Sequence, residues 1–204
     1  MKALLIKLHL LLNKSQKLDF LAPLLLRMYL VPVFWMAGSK KVEGFDGIVE
    51  WFGNSDWGLG LPFPFLMALL ATATEFFGAI ALFFGVAVRW FSIPLMITMV
   101  VAAGAVHWDN GWQAITDPSA PFANERVIDG ANKLAIVKDV LQEHTNYDYI
   151  TSSGSVVMLN NGIEFSMTYF VMLLALLFMG AGRYISIDYW IERKLYQKPI
   201  ANKS

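Results

Sequence analysis

Apolar residues gather into four long stretches along the chain, separated by segments in which charged and polar residues return. The stretches cover residues 20–39, 63–87, 90–107 and 163–182. Each is close to the roughly 20 residues that a helix needs to cross a hydrocarbon core about 30 Å thick. Lipid offers no hydrogen-bond partner to a bare backbone, so these stretches are predicted to be helices. The pattern therefore predicts an all-α, integral membrane four-helix bundle.

The links between these stretches differ greatly in length. The second and third stretches meet at Arg89 through a very short turn, which predicts an antiparallel hairpin. Residues 108–162 form a long extracytoplasmic loop between the third and fourth helices, and apolar residues recur at helical spacing over 127–144. That spacing predicts an amphipathic helix on the outer face of the membrane. Residues 145–162 fit either a hairpin or irregular structure.

The same pattern divides the chain into four parts. Residues 1–19 are interpreted as a cytoplasmic amphipathic lead-in, 20–107 as the first three transmembrane helices, 108–162 as a periplasmic loop, and 163–204 as the fourth helix with a cytoplasmic interfacial tail. In that tail, Gly182 is suited to end the fourth helix. Ser186 is predicted to cap a new helix with Asp188 in its first turn, where the helix dipole favours an anion.

Composition and charge agree with a membrane protein and exclude several other classes. The chain is 56% hydrophobic and 16% charged, and its net charge of zero leaves no basic surplus for a nucleic-acid partner. It contains no cysteine, which excludes disulfides and thiolate chemistry. Ten lysines and arginines fall on the side of the termini and of Arg89, against five on the other side. The positive-inside rule therefore predicts that both termini are cytoplasmic.

Two charged residues interrupt the predicted membrane helices, Arg27 in the first and Glu75 in the second. A charge at the bilayer centre costs about 2.5–3.5 kcal/mol on insertion scales, so each should seek a partner. Arginine is long enough to bridge the difference in depth, and we predict a buried Arg27–Glu75 pair. Such a pair either fixes helix packing only, or borders a polar pocket for a quinone-like ring or a proton.

Further polar residues are predicted to meet at the outer end of the helices. Lys40, His107 and Glu164 could assemble a cluster at this outer mouth. Met96, Met99 and His107 fall near one helical stripe, whose soft ligands would suit Cu(I). Methionines at helical spacing are more often packing residues, so no metal site is assigned with these residues alone. The sequence contains no phosphate-binding glycine loop and no metalloprotease or nucleophile-elbow motif.

Three segments together resemble the DoxX family of small four-helix membrane proteins. They are RMYLVPVFWMAGSKK (27–41), EFFGAIALFFGVAVRW (75–90) and GAGRYISIDYW (180–190). Two others, WFGNSDWGLGLPFP (51–64) and HWDNGWQAI (107–115), resemble the subgroup called HvfX, which accompanies copper-binding modified peptides in Gram-negative bacteria. The resemblance gives Arg89, Arg183, Ser186 and Asp188 as family-pattern positions, beside Arg27 and Glu75.

The resemblance also sets functional expectations. It implies a bacterial inner-membrane protein that assists maturation or export of a copper-binding modified peptide together with its maturation proteins. Some DoxX relatives are linked to quinone-coupled oxidation, which makes quinone a candidate cofactor of a membrane oxidoreductase component. Copper is a second candidate, through the stripe of Met96, Met99 and His107. Two alternatives stay open: a non-enzymatic scaffold or anchor for partner proteins, and a small transporter. The long outer loop departs from the compact family pattern.

Overall fold

The computed structural model describes residues 2–196, and the regular structure within that range is helical. The helices are α1 (Lys2–Ser15), α2 (Leu21–Glu43), α3 (Phe45–Gly53), α4 (Pro64–Phe84), α5 (Val88–Val101), α6 (Glu125–His144), α7 (Tyr147–Thr151), α8 (Glu164–Met179) and α9 (Ile187–Tyr196). The predicted all-α class is confirmed. Lys198 and Lys203, which entered the orientation count, lie outside the described residues.

Three helical segments are long and apolar enough to cross a membrane: Gln16–Glu43, Pro64–Phe84 and Val88–Asn110. The fourth apolar helix, α8, has 16 residues and a length of about 24 Å. It ends at Met179, earlier than the predicted boundary at Gly182. Gly180 adopts a φ of 77° immediately after the helix, and its backbone N–H donates to Leu176 O (2.8 Å). Gly180 therefore ends the helix, because glycine enters this left-handed region without steric cost.

The chain divides into two compact units. The first comprises residues 1–97 and 171–204, and the second comprises residues 98–170. In the first unit α2 and α4 pack closely at Gly38, where an added Cβ would lie 2.7 Å from the backbone nitrogen of Phe76. Gly78 of α4 likewise contacts Leu95 of α5. Small residues thus allow neighbouring helices to approach, as is common in membrane bundles.

The end of helix α3 and the loop after it form the segment 51–64, which the sequence singled out only as a motif. The loop folds back on the end of α3 through backbone bonds from Leu59 N to Trp51 O (2.9 Å) and from Leu61 N to Phe52 O (2.7 Å). Phe45 of α3 meets Phe65 of α4 edge to face, with ring centroids 5.7 Å apart. The sequence analysis did not predict this helix.

The second unit is built around a backbone pairing that we call the clasp, in which residues 110–116 run along residues 158–164. Its bonds include Thr116 N to Met158 O (3.0 Å), Ile163 N to Gly111 O (2.9 Å) and Glu164 N to Trp112 O (2.9 Å). The predicted helix over 127–144 is confirmed as α6, with Asn124 as its N-cap accepting from Val127 N (3.0 Å).

Residues 145–162 form the short helix α7 followed by the second strand-like segment of the clasp. Neither a hairpin nor a wholly irregular segment describes this region. The sequence pattern could not show that the partner of residues 158–164 lies some 45 residues earlier in the chain, since that pairing is not local.

Candidate functional site

A buried ion pair joins α2 and α4 inside two of the candidate membrane spans. Lys41 Nζ and Glu75 Oε2 are in direct contact, and their side chains are 21% and 6% exposed. A charge in the middle of a membrane helix is expensive unless paired, and Lys41, in the last turn of α2, supplies the partner that Glu75 requires. The pair is the clearest polar feature in the apolar interior of the first unit.

The surroundings of this pair combine a free hydroxyl with aromatic rings. Thr72 lies one turn before Glu75 on α4, is 5% exposed, and its Oγ1 has no hydrogen-bond partner within residues 2–196. On the other side of Glu75, Phe76 stacks on Trp35 of α2 with centroids 5.1 Å apart. A carboxylate, an ammonium and an unpartnered hydroxyl therefore occupy neighbouring positions.

Arg27 does not pair with Glu75, which corrects the sequence prediction. Arg27 is 1% exposed, and its guanidinium donates to Leu82 O (3.0 Å) and Ile185 O (2.5 Å). Leu82 lies about 10 Å beyond Glu75 along α4. Carbonyls in the last turn of a helix lack the regular intrahelical donor, and Ile185 lies in the non-helical segment between α8 and α9, so both carbonyls can accept from the arginine. Glu75 is left to Lys41, which comes from the far end of α2.

Gly85 makes the buried position of Arg27 sterically possible. A Cβ on Gly85 would lie 2.2 Å from Nη1 of Arg27 and 2.7 Å from Cβ of Ser186. Gly85 also has a φ of 65°, which favours glycine. The glycine after α4, the arginine of α2 and the segment after α8 are therefore packed together in the first unit.

The predicted tail helix and its cap are confirmed. Ser186 precedes α9 and its Oγ accepts from Tyr189 N (3.3 Å). Asp188 also contacts a second helix. Its two oxygens accept from Ala87 N (2.7 Å) and Val88 N (3.0 Å) at the start of α5. The tail thereby caps a helix about 100 residues earlier in the chain.

Two further arginines bind a backbone carbonyl and a carboxylate. Arg89 donates to Phe178 O near the end of α8 (3.2 Å). Arg183 forms an ion pair with Asp19, and this hydrogen-bonded carboxylate raises the pKa of Arg183. A polar cavity of about 260 Å³ lies beside them, lined in part by Trp90 and Tyr189. We call Arg27, Arg89, Arg183, Ser186 and Asp188 the tail junction.

Two residues of the predicted outer-mouth cluster, His107 and Glu164, have partners in the structure. His107 Nδ1 lies 2.9 Å from Asn161 O, and Glu164 Oε2 accepts from Ala114 N (2.8 Å). Both contacts are made within the second unit, to backbone atoms of the clasp. Lys40 belongs to the first unit, where it is exposed. The adjacent Lys41 is the residue with a buried carboxylate partner.

Lys41 was missed as a site residue although the sequence carried a signal for it. Arg27, Leu30, Phe34 and Gly38 form the buried stripe of α2, with steps of three and four residues. Continuing that stripe reaches Lys41 and not Lys40. The helical period alone could therefore have selected the lysine that faces α4.

The predicted copper stripe is not joined by a cluster of acidic or histidine side chains in the part of the chain that the structure describes. Within residues 2–196, no group of three or more His, Asp or Glu side chains could hold a metal ion. Met99 is 9% exposed among apolar residues, and His107 is engaged by the clasp. A site at Met96, Met99 and His107 remains a prediction from the sequence.

Comparison with known proteins supports the resemblance over the first half of the chain. Residues 22–108 match the DoxX family. A Bacillus subtilis (strain 168) protein provisionally named oxidoreductase CatD is 32% identical to this chain over 90 residues. The aligned residues cover 44% of this chain and 60% of that protein. No solved structure matches the chain. The matched segment contains Arg27, Lys41, Glu75 and Arg89, and it excludes Arg183, Ser186 and Asp188.

Proposed function

Since residues 22–108 match the DoxX family, we propose that this protein is a membrane oxidoreductase component that binds a quinone head group at the Lys41–Glu75 pair. The observation that carries this proposal is a buried acid–base pair inside two candidate membrane spans, with the unpartnered hydroxyl of Thr72 beside it. The name of the Bacillus subtilis relative supports the same reaction class.

The chemistry of the three side chains fits a quinone. Its ring carries two carbonyl oxygens, which accept hydrogen bonds from an ammonium or a hydroxyl such as those of Lys41 and Thr72. Reduction of a quinone to a quinol takes up two electrons and two protons. In the proposal a partner redox protein supplies both electrons, and the Lys41–Glu75 pair passes protons to the oxygens of the ring. Proton relays through intramembrane carboxylates follow the same logic.

Quinone content of the detergent-purified protein tests this proposal. We expect lipid extracts of the wild-type protein to contain quinone in stoichiometric amount, and extracts of Glu75→Gln to contain little. Glu143→Gln, at an exposed residue of α6, is the matched control and should keep the quinone. Absence of quinone from wild-type protein that is folded and purified from quinone-containing membranes would refute the proposal.

The subgroup resemblance and the charge distribution suggest a location and a partner. We propose that the protein lies in a bacterial inner membrane with both termini cytoplasmic, where it assists maturation or export of a copper-binding modified peptide. The lysine and arginine distribution and the segments 51–64 and 107–115 support this placement. In a strain that lacks the gene, we expect the mass of the peptide to show incomplete modification and its copper content to be low. A fully modified, exported peptide in the deletion strain would exclude this role.

A non-enzymatic scaffold is the second candidate, and the tail junction favours it. Arg27, Arg89 and Asp188 all bind backbone atoms, which is a structural task. A scaffold would copurify with its partner proteins in Glu75→Gln as well as in wild type. Loss of quinone without loss of the partners would separate the two functions.

A further inference from the structure

The second unit contains a cavity of about 510 Å³ that lies against the start of α8. Three aromatic side chains line it: Trp112, Phe122 and Phe165. The rings of Trp112 and Phe122 have centroids 6.1 Å apart, and both side chains are exposed. The volume lies within the range of about 300–1,000 Å³ that is usual for small-molecule sites. Aromatic rings on several walls suit a flat, apolar ring.

One lining residue carries a buried acceptor without a donor. Gln113 is 4% exposed, and its Oε1 has no hydrogen-bond partner within residues 2–196. Its amide nitrogen faces Pro121 O at 3.4 Å, which distinguishes the nitrogen of the amide from the oxygen. Buried carbonyl groups are nearly always satisfied by protein or by water, so the free acceptor of Gln113 favours a ligand that donates over one that cannot.

Two carboxylates make the lining acidic. Glu164 lines the cavity, and its Oε2 accepts from Ala114 N (2.8 Å). Asp117 also lines the cavity, and hydrogen bonds from the side chain and backbone of Ser119 lower the pKa of Asp117. Both groups repel anions, which argues against carboxylates and phosphates as ligands.

The lining is held in place by the clasp. Asn160 is 3% exposed and donates to Asn110 O (2.8 Å) and Gln113 O (2.7 Å), and Gly162 N donates to Gln113 O (2.8 Å). These bonds fix the backbone of Gln113 directly. A site whose acceptors are fixed beforehand loses less entropy when a ligand binds.

We propose that this cavity binds a phenol, with its ring among the three aromatic side chains and its hydroxyl donating to Gln113 Oε1. A second donor on the ring would be accepted by Glu164. A purely apolar ring would leave the carbonyl of Gln113 unsatisfied. The site uses residues of the second unit alone, and it does not rest on the function proposed for Lys41 and Glu75.

A matched pair of ligands tests the proposal on the full-length protein in detergent micelles. The probes are 4-methylphenol and 4-methylanisole, which differ in the O–H that the acceptor requires. Saturation-transfer NMR, with protein-free micelles as the blank, should show the phenol binding about tenfold more tightly, the scale of one good hydrogen bond. N-Acetyltyrosinamide is measured beside them. If it fails to bind, the ligand is a free phenol; if it binds too, the ligand is a peptide tyrosine.

Variants separate the site from the fold. Gln113→Leu removes the acceptor and should weaken 4-methylphenol roughly tenfold while leaving 4-methylanisole unchanged. Phe122→Ala, at a residue 77% exposed, should weaken both ligands without disturbing folding. Tyr149→Ala removes an aromatic ring that is 79% exposed outside the cavity and should change neither. Equal binding of both ligands to the wild type, no binding of either, or unchanged binding by both cavity variants would overturn the proposal.

Discussion

Lys40 and Lys41 are neighbours in the sequence, yet their surroundings differ. Lys40 is exposed, whereas Lys41 contacts the buried carboxylate of Glu75. In a helix, successive residues are rotated by about 100°, so one of two adjacent lysines faces α4 and the other faces away. Composition cannot show which of the two lysines faces α4, whereas the helical period does.

This contrast gives a prediction at Lys41. Lys41→Met leaves the carboxylate of Glu75 buried without its cation, and we expect a loss of about 3 kcal/mol of unfolding free energy. The double variant Lys41→Met with Glu75→Gln removes both charges and should regain most of that loss. Unfolding of the purified protein by SDS titration measures both values.

Lys40→Met is the matched control, because it makes the same chemical change one residue away. We expect its unfolding free energy to change by less than about 0.5 kcal/mol. If Lys41→Met were as mild as Lys40→Met, the buried pair would contribute nothing to stability.

Arg27 shows how a residue can be recognised as buried and still be given the wrong partner. Its burial followed from an apolar stretch interrupted by one charge. Its partners are the carbonyls of Leu82 and Ile185, which no side-chain pattern displays. Every residue offers a backbone carbonyl, so only the folded arrangement reveals which of them an arginine reaches.

At the scale of elements, contacts at helix ends connect helices of the first unit that are far apart in the sequence. Asp188 of α9 accepts from Ala87 N and Val88 N, so the tail completes the first turn of α5. Helix starts expose backbone N–H groups that need acceptors, and a carboxylate satisfies two of them here. The motif around Asp188 is thereby explained as a capping device.

Removing this cap should loosen the start of α5. We expect Asp188→Ala to cost about 1–2 kcal/mol and to speed amide hydrogen exchange at Ala87 and Val88. Asp188→Asn keeps one acceptor oxygen and should cost less. Mass-spectrometric hydrogen exchange checks both variants, and unchanged protection in Asp188→Ala would contradict the assigned role.

Helix contact at Gly38 gives a second prediction at this scale. Gly38→Ala would place a Cβ 2.7 Å from the backbone of Phe76, so we expect a loss of about 1–3 kcal/mol as α2 and α4 separate. Gly47 of α3 is the matched control, since nothing lies within 4 Å of its added Cβ. Gly47→Ala should stabilise by about 0.5–1 kcal/mol through helix propensity. Equal effects in an SDS titration would refute the close contact.

At the scale of the whole molecule, the apolar segments define a multi-pass membrane protein. Three candidate spans match the predicted stretches, and the fourth apolar helix is shorter than its stretch because glycines follow Met179. The sidedness of the chain is a separate matter. It is predicted from the number of lysines and arginines on each side, and the fold itself does not show which side is cytoplasmic.

The absence of cysteine allows a direct test of sidedness. We expect Ser152→Cys, in the long loop, to react with a membrane-impermeant maleimide added to intact spheroplasts. Asn13→Cys, before the first span, should react only after the membrane is permeabilised. The opposite labelling pattern would invert the predicted orientation.

The sequence by itself determined the all-α class, the membrane helices, α6 and the Ser186 cap. Each of these depends on a local quantity, namely runs of apolar residues, helical spacing or a capping residue near a helix start. The tertiary structure alone decided that Lys41 pairs with Glu75, that Arg27 binds the end of α4, and that residues 110–116 run along 158–164. These contacts join residues 34 to 55 positions apart. Such contacts depend on which faces and helix ends meet in space, which no local pattern encodes.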